Sequence, residues 1–296
     1  MAPLKNVLLI GASGNLGVPV LKAFRDSPYN VSVLTRKESN STFPEGVPVF
    51  KADYTDVYSV KSAMEGQDAV ICHGMVGGFA AGDQQVFIDA ALAAGVKRFF
   101  PSEFGPYSRD PKFSGLLSSV LPAKTGTVDY LRANESKMSW TSLITGVFFD
   151  WALKLGFLGF DFASKAATLV DGGTAVFTGT TLPTVANAVI AALRNAEETK
   201  NQYVFISSFN ISQKDILQVI EKVDNRKWTI KHVASEEVIA NGMRMLEEGN
   251  PVGVTYLVRG GALGKQALGD LRPHGLWNDQ LGLPEENIEQ VVRELL

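Results

Sequence analysis

Short, almost continuous apolar runs alternate with segments of helical spacing through the first half of the chain. Residues 7–10 form the first run, and a glycine-rich turn leads into apolar positions spaced as a helix over 16–24. Runs at 31–34, 48–50 and 69–72 predict a second, third and fourth strand, with a helix at 57–64 between the last two. Val86, Ala90, Leu92 and Ala93 place small and apolar residues on one face of a further helix. A fifth strand is expected at 98–100, stopped by Pro101, then a helical stretch at 128–131 and a sixth strand at 140–144. Strands that are apolar on both faces and alternate with helices predict a parallel sheet covered on each side.

The second half is less regular. Helices are expected at 188–193 and 211–223, strands at 203–206 and 228–233, and a last helix at 285–295, after Pro284, with acidic residues in its first turn. The change of character near Asp150 suggests a first domain over 1–150 and a smaller α/β domain over 151–296, some of whose segments pack back on the first. The most apolar stretch, 141–160, carries Asp150 and Lys154 near its middle and Gly156 beyond. Two charges there make a poor membrane span. The stretch reads as a buried strand followed by a pocket-lining helix or loop. The N-terminal run is too short for a secretory signal, so a cytoplasmic protein with no membrane partner is expected.

Composition narrows the chemistry. With 28 Lys and Arg against 31 Asp and Glu, the net charge of −3 supplies no basic footprint for nucleic acid. The single cysteine, Cys72, excludes an intramolecular disulfide, and its apolar run reads as core. Three histidines far apart in sequence do not support a zinc site, and no metal is expected.

The first turn reads Gly11-Ala12-Ser13-Gly14-Asn15-Leu16-Gly17, directly after a strand and opening a helix. In that context the glycines have separate uses. The first permits the tight turn, the second lets backbone approach a pyrophosphate, and the third allows close packing of helix on sheet. The helix N-terminus then offers unpaired N–H groups to phosphate. Where an NAD site carries an acid after the second strand, this chain has Arg36 and Lys37, which suit the 2′-phosphate of NADP(H). In a doubly wound sheet, ligands bind beyond the carboxyl ends of the strands. Asp53 and Tyr54 after the third strand and His73, Gly74 and Met75 after the fourth are therefore further cofactor candidates.

A Tyr-x-x-x-Lys pair, the acid of ordinary short-chain dehydrogenases, is absent. The glycine turn, Arg36, the string Pro101-Ser102-Glu103-Phe104-Gly105, and Lys124 ahead of Tyr130-Leu131-Arg132-Ala133 instead resemble the NmrA-like branch of atypical short-chain dehydrogenases. Within it they are similar to the isoflavone reductase and phenylcoumaran benzylic ether reductase group. The resemblance covers nearly the whole chain and thins after Asp150. It implies a Rossmann-type doubly wound parallel sheet with a smaller C-terminal substrate-binding domain. It also implies that Lys124 contacts the nicotinamide ribose and takes part in proton transfer. The plant reductases have an arginine four residues after that lysine, where this chain has Val128, with the acid Asp129 one residue on.

Val147, Phe148 and Phe149 fall where a nicotinamide-facing loop belongs. Tyr107, Phe149, Trp151 and Phe157 are candidates for an apolar substrate wall, with Phe160 and Phe162 nearby. Tyr107 and His73 are possible auxiliary acids. The leading expectation is NADPH-dependent reduction of a small hydrophobic, aromatic or specialised-metabolite substrate by a monomer or homodimer. Two alternatives stay open: a non-redox isomerisation with NADP(H) bound, and a non-catalytic NADP(H) sensor.

Overall fold

A computed structural model describes residues 4–74, 83–118 and 120–295. Met75 lies outside them. The strands of the first half are β1 (Asn6–Ile10), β2 (Asn30–Arg36), β3 (Val49–Ala52), β4 (Ala69–Cys72), β5 (Arg98–Phe100) and β6 (Ser139–Ile144). The helices between them are α1 (Gly17–Arg25), α2 (Val57–Met64), α3 (Asp83–Ala94), α4 (Pro111–Leu116) and α5 (Leu121–Ala133). Next come β7 (Val147–Phe148), α6 (Phe149–Lys154), β8 (Phe160–Asp161), β9 (Ala166–Val170), β10 (Val176–Thr180), α7 (Leu182–Arg194), β11 (Gln202–Phe205) and β12 (Phe209–Ser212). The chain ends with α8 (Gln213–Asp224), β13 (Thr229–Val233), α9 (Ser235–Glu247), α10 (Gly253–Leu263), α11 (Asn278–Leu281) and α12 (Ile288–Arg293).

Seven parallel strands form the main sheet in the order β11-β6-β5-β4-β1-β2-β3. Alternate residues of β1 serve opposite faces. Val7 and Leu9 join Val20 and Phe24 of α1 and Val185, Val189 and Ala192 of α7. Leu8 and Ile10 join Val60 of α2, Phe87 of α3 and Leu131 of α5. The sheet is thus the Rossmann-type, doubly wound one. Its order reverses between β1 and β4, and that reversal opens a crevice beyond their carboxyl ends.

Two three-stranded sheets, β12-β10-β7 and β13-β9-β8, complete the molecule. Their core gathers Phe149, Phe177, Ile216 and Leu257, and also Phe113, Leu117 and Leu121 from the earlier half of the chain. Conversely, α7 packs on the main sheet and β11 extends it beside β6. Arg98 fastens this return: fully buried, it donates to the hydroxyls of Ser139 and Thr141 at 2.8 Å and to the Ala196 carbonyl beyond α7.

Some element ends differ from the sequence expectation for local reasons. The last helix begins at Ile288, not 285, because Asn287 caps it by accepting from the Glu289 amide. The helix expected from 211 starts at Gln213, where Ser212 and Asp215 form a reciprocal capping box, and the residues before it pair as β12. Among the described residues no helix is long and apolar enough to cross a membrane; 141–160 is occupied by β6, β7, α6 and the turn into β8.

Candidate active site

The glycine turn is built by exclusion. Gly11 has φ +84°, and a Cβ there would lie 2.7 Å from the His73 carbonyl oxygen, so the turn sits directly against the residue following β4. A Cβ on Gly17 would lie 2.1 Å from the Gly11 carbonyl oxygen. Gly14 donates its N–H to that same oxygen at 3.0 Å. Helix α1 starts with no side-chain cap and no acid in its first turn, and the amides of Ser13, Asn15 and Leu16 have no acceptor among the described residues. A turn without side chains, ending in unpaired donors at a helix N-terminus, fits a dinucleotide pyrophosphate.

Arg36 and Lys37 lie at the end of β2, both exposed, and Arg36 has no carboxylate partner among the described residues. The neighbouring candidates are tied up locally. Asp53 accepts from the Thr55 hydroxyl at 2.7 Å and amide at 2.9 Å, and these bonds hold its carboxyl below the usual range. Tyr54 donates its hydroxyl to the Leu34 carbonyl at 3.1 Å and meets Phe87 edge-on at 4.8 Å.

At the other end of the crevice is a cavity of about 200 Å³. The glycine turn contributes Gly14, Asn15 and Leu16, and the end of β4 contributes His73 and Gly74. The loop after β5 brings Ser102, Glu103 and Phe104, α5 brings Lys124, and the β7–α6 segment brings Phe148 and Trp151. Lys124 donates from Nζ to the main-chain oxygen of Glu103. Burial pushes its pKa down, and the Glu103 charge opposes that shift. Glu103 is itself only 1% exposed. Its Oε1 accepts from the Ser108 hydroxyl at 3.1 Å, while Oε2 has no partner. Burial pushes its carboxyl up, and Lys124, Ser108 and Arg109 pull it down.

The loop that presents Glu103 is tightly pinned. The Gly105 carbonyl accepts from the amides of both Thr145 and Gly146 at 3.1 Å, and Ser102 donates its hydroxyl to Gly74. Phe104 takes φ +21°, with its ring centroid 5.4 Å from that of His73.

His73 is buried with neither ring nitrogen hydrogen-bonded, and burial lowers its pKa from 6.5 to about 4. The ring is therefore neutral at neutral pH. A base with a depressed folded-state pKa takes up its proton more readily in the unfolded chain. Stability should fall as pH drops below about 6.5, with the whole loss, about 3 kcal/mol, incurred by about pH 4. Denaturant melts across that window should show a slope that His73→Asn flattens; an identical slope in the variant would assign the acid sensitivity elsewhere.

Several residues proposed from sequence stand away from this cavity. Tyr107 lies in a cluster with Tyr203, Phe205 and His274, at centroid distances of 5.3, 5.1 and 4.9 Å. Phe149 is fully buried, 4.8 Å from Phe209, with its ring against Gly179. Phe157 packs on the second core, and Val147 is buried in it. Val128 is sealed in the core beneath the main sheet, and the acid beside it, Asp129, pairs with Arg109. Ser102, Glu103 and Phe104 line the cavity, although the sequence offered them only as a motif. Cys72 is buried and its thiol is pushed up to about 12, which leaves it no nucleophilic part. No cluster of metal-ligating side chains occurs among the described residues.

Residues 3–254 match the NmrA-like family. The chain belongs to that family. It is 35% identical over 294 residues to oxidoreductase aprR of Aspergillus flavus, covering 98% of each. It is 32% identical over 292 residues to oxidoreductase poxI of Penicillium oxalicum, covering 96% of this chain and 92% of the relative. With relatives matched nearly end to end, the chain is an oxidoreductase of the NmrA-like family. Solved structures share the fold. The crystal structure of isoflavone reductase superposes with a TM-score of 0.81 at 19% identity, over 99% of this chain and all of the other. The structure of AtPrR2 with NADP+ and (+)-pinoresinol gives 0.82 at 18% identity over the whole of both chains.

Proposed function

We propose that this oxidoreductase reduces a small hydrophobic, aromatic substrate with NADPH, and that Lys124 supplies the proton. The observation that carries the reading is the position of Lys124 in a cavity lined by the glycine turn and by Phe148 and Trp151. The AtPrR2 structure with NADP+ and (+)-pinoresinol is consistent with it. So is a leucoanthocyanidin reductase–NADPH complex of the same fold, with a TM-score of 0.81.

In this reading the turn from Gly11 to Gly17 seats the pyrophosphate, while Arg36 and Lys37 receive the 2′-phosphate. Reduced nicotinamide, when bound, supplies the hydride. The chain does the rest. Phe148 and Trp151 give an apolar wall that favours a ring and displaces water. Lys124 holds a proton at Nζ beside the place where negative charge develops on the substrate. The β7–α6 segment carries Phe148 and Trp151 into the cavity, and so forms the substrate-facing side.

Aromatic metabolites bearing a reducible carbonyl or benzylic ether should be offered with NADPH, following cofactor absorbance and the product together. Hydride consumption matched by reduced product supports the reading. Turnover of substrate with no cofactor oxidised would instead show a rearrangement. The cofactor assignment has its own test. Arg36→Ala should weaken NADP+ binding by roughly 10–100-fold, as loss of a charge-assisted contact implies, and leave NAD+ binding little changed. Equal affinity of the unaltered protein for the two nucleotides in calorimetry would remove Arg36 from this role.

A further inference from the structure

Lys124 sits where an amine loses its proton easily. Its cavity is lined by the rings of Phe104, Phe148 and Trp151, by His73, and by the uncharged polar residues Asn15 and Ser102 besides Glu103. Among the described residues its hydrogen bond goes to a neutral carbonyl, that of Glu103. Such a site favours the uncharged amine, which has no proton to donate to a substrate oxygen. Something must hold the charge on it.

We propose that Glu103 is the positioning residue for this proton: its carboxylate, buried in the same wall as the carbonyl that Lys124 grips, is the fixed counter-charge that keeps Lys124 an ammonium. Geometry supplies the argument. One residue grips Nζ through its main chain and presents its carboxyl from the same pinned loop. That carboxyl is 1% exposed, with a single hydrogen bond, from Ser108, and its second oxygen has no partner. A carboxylate so placed is poorly compensated by hydrogen bonds, and so its field falls on nearby cations with little screening.

The other groups around it leave Lys124 as the cation with a proton to give. Arg109, from the same loop, is engaged by Tyr203 and Asp129 and does not give up its proton. Tyr203, from β11, is pushed up to about 12 by burial and stays neutral. His73, from the end of β4, is neutral above about pH 4. Burial lowers Lys124 and raises Glu103, and it is the charge of each that opposes the other's shift. When Lys124 gives up its proton, the Nζ–H bond breaks and an O–H bond forms on the substrate oxygen. The amine keeps its electron pair, and Glu103 need only be a carboxylate while Lys124 holds the proton.

The inference rests on Lys124 as proton donor, but its test does not need turnover. Acetylation of Lys124 by acetic anhydride, read by peptide mass spectrometry across pH, reports the fraction of neutral amine. Glu103→Gln should move the midpoint down by at least about one pH unit, a tenfold rise in neutral amine at a given pH below the midpoint. Glu103→Asp, which restores the charge, should recover most of the shift. A midpoint unchanged or raised in Glu103→Gln overturns the proposal. If Glu103→Gln does not fold, the unaltered protein still decides. With Lys124→Met used to assign its signal, the Lys124 ε-carbon resonance should show a second, acidic inflection from Glu103 ionising, and its absence overturns the proposal equally. Full activity in Lys124→Met would sink the functional reading instead, without altering either measurement.

Discussion

Lys124→Met is expected to lower turnover by roughly 10²–10⁴-fold, the usual contribution of a positioned acid or base, with far less change in NADPH affinity. The asymmetry follows from where the binding contacts are. Pyrophosphate and 2′-phosphate would be held by the amides of the turn between Gly11 and Gly17 and by Arg36 and Lys37, while Lys124 comes from a separate element, α5. Methionine keeps much of the lysine stem's length and apolar character, so packing against Phe104 and Phe148 changes little. Lys124→Arg should not rescue the activity. A guanidinium remains charged and donates hydrogen bonds, but it does not release its proton at these pH values. Stopped-flow binding and single-turnover rates separate the two effects. A tenfold loss of NADPH affinity with an unchanged chemical step would make Lys124 a cofactor anchor and leave the proton donor to be sought elsewhere in the cavity.

What could be read from the chain beforehand follows the range of the interactions. The main sheet was legible because its central strands are covered on both faces: β4 and β6 are buried from end to end, and β1 from Val7 onward. Of the smaller sheets only β13 was, as the strand expected at 228–233. β7 and β8 are two residues long, so neither run length nor alternation marks them. Helix α10 carries three glycines, which obscure it by propensity. Those glycines serve packing instead: a Cβ on Gly253 would lie 2.3 Å from the Gly242 carbonyl oxygen of α9.

The site divides the same way. The glycine turn is contiguous and announces itself. Lys124 was visible only through the family resemblance, because nothing local to α5 distinguishes it from a surface lysine. Glu103 was visible as part of a string but not as a buried charge, since its burial is set by tertiary packing that the string itself does not encode. The aromatic segment shows how fine the limit is. Phe148 reaches the cavity, and Phe149, the next residue, turns into the opposite core. No composition argument separates those two.

The second large effect is expected at Gly17. Alanine there would place its Cβ 2.1 Å from the Gly11 carbonyl oxygen and 2.6 Å from the Ala12 Cα. Both atoms are backbone, so no flexible side chain can move aside, and α1 must shift away from the turn. That helix is anchored by Val20, Leu21 and Phe24 in the core shared with α7. The shift therefore strains the packing and opens the turn at once. A loss of about 2–4 kcal/mol in stability is expected, in the range of severe overpacking, with NADPH binding weakened by roughly 100-fold or more as the amide cradle disperses. Gly14→Ala is the informative contrast. Its Cβ would approach the same oxygen only to 3.3 Å, so the fold should survive while the approach to pyrophosphate is crowded. Gly126→Ala, in α5 with nothing within 4 Å of the added Cβ, should raise stability by about 0.5–1 kcal/mol. Thermal melts and NADPH titration of the three variants test the order. Wild-type affinity in Gly17→Ala would mean that the cofactor is not seated on this turn, since no movement that admits the methyl leaves the amides of Ser13, Asn15 and Leu16 where they are.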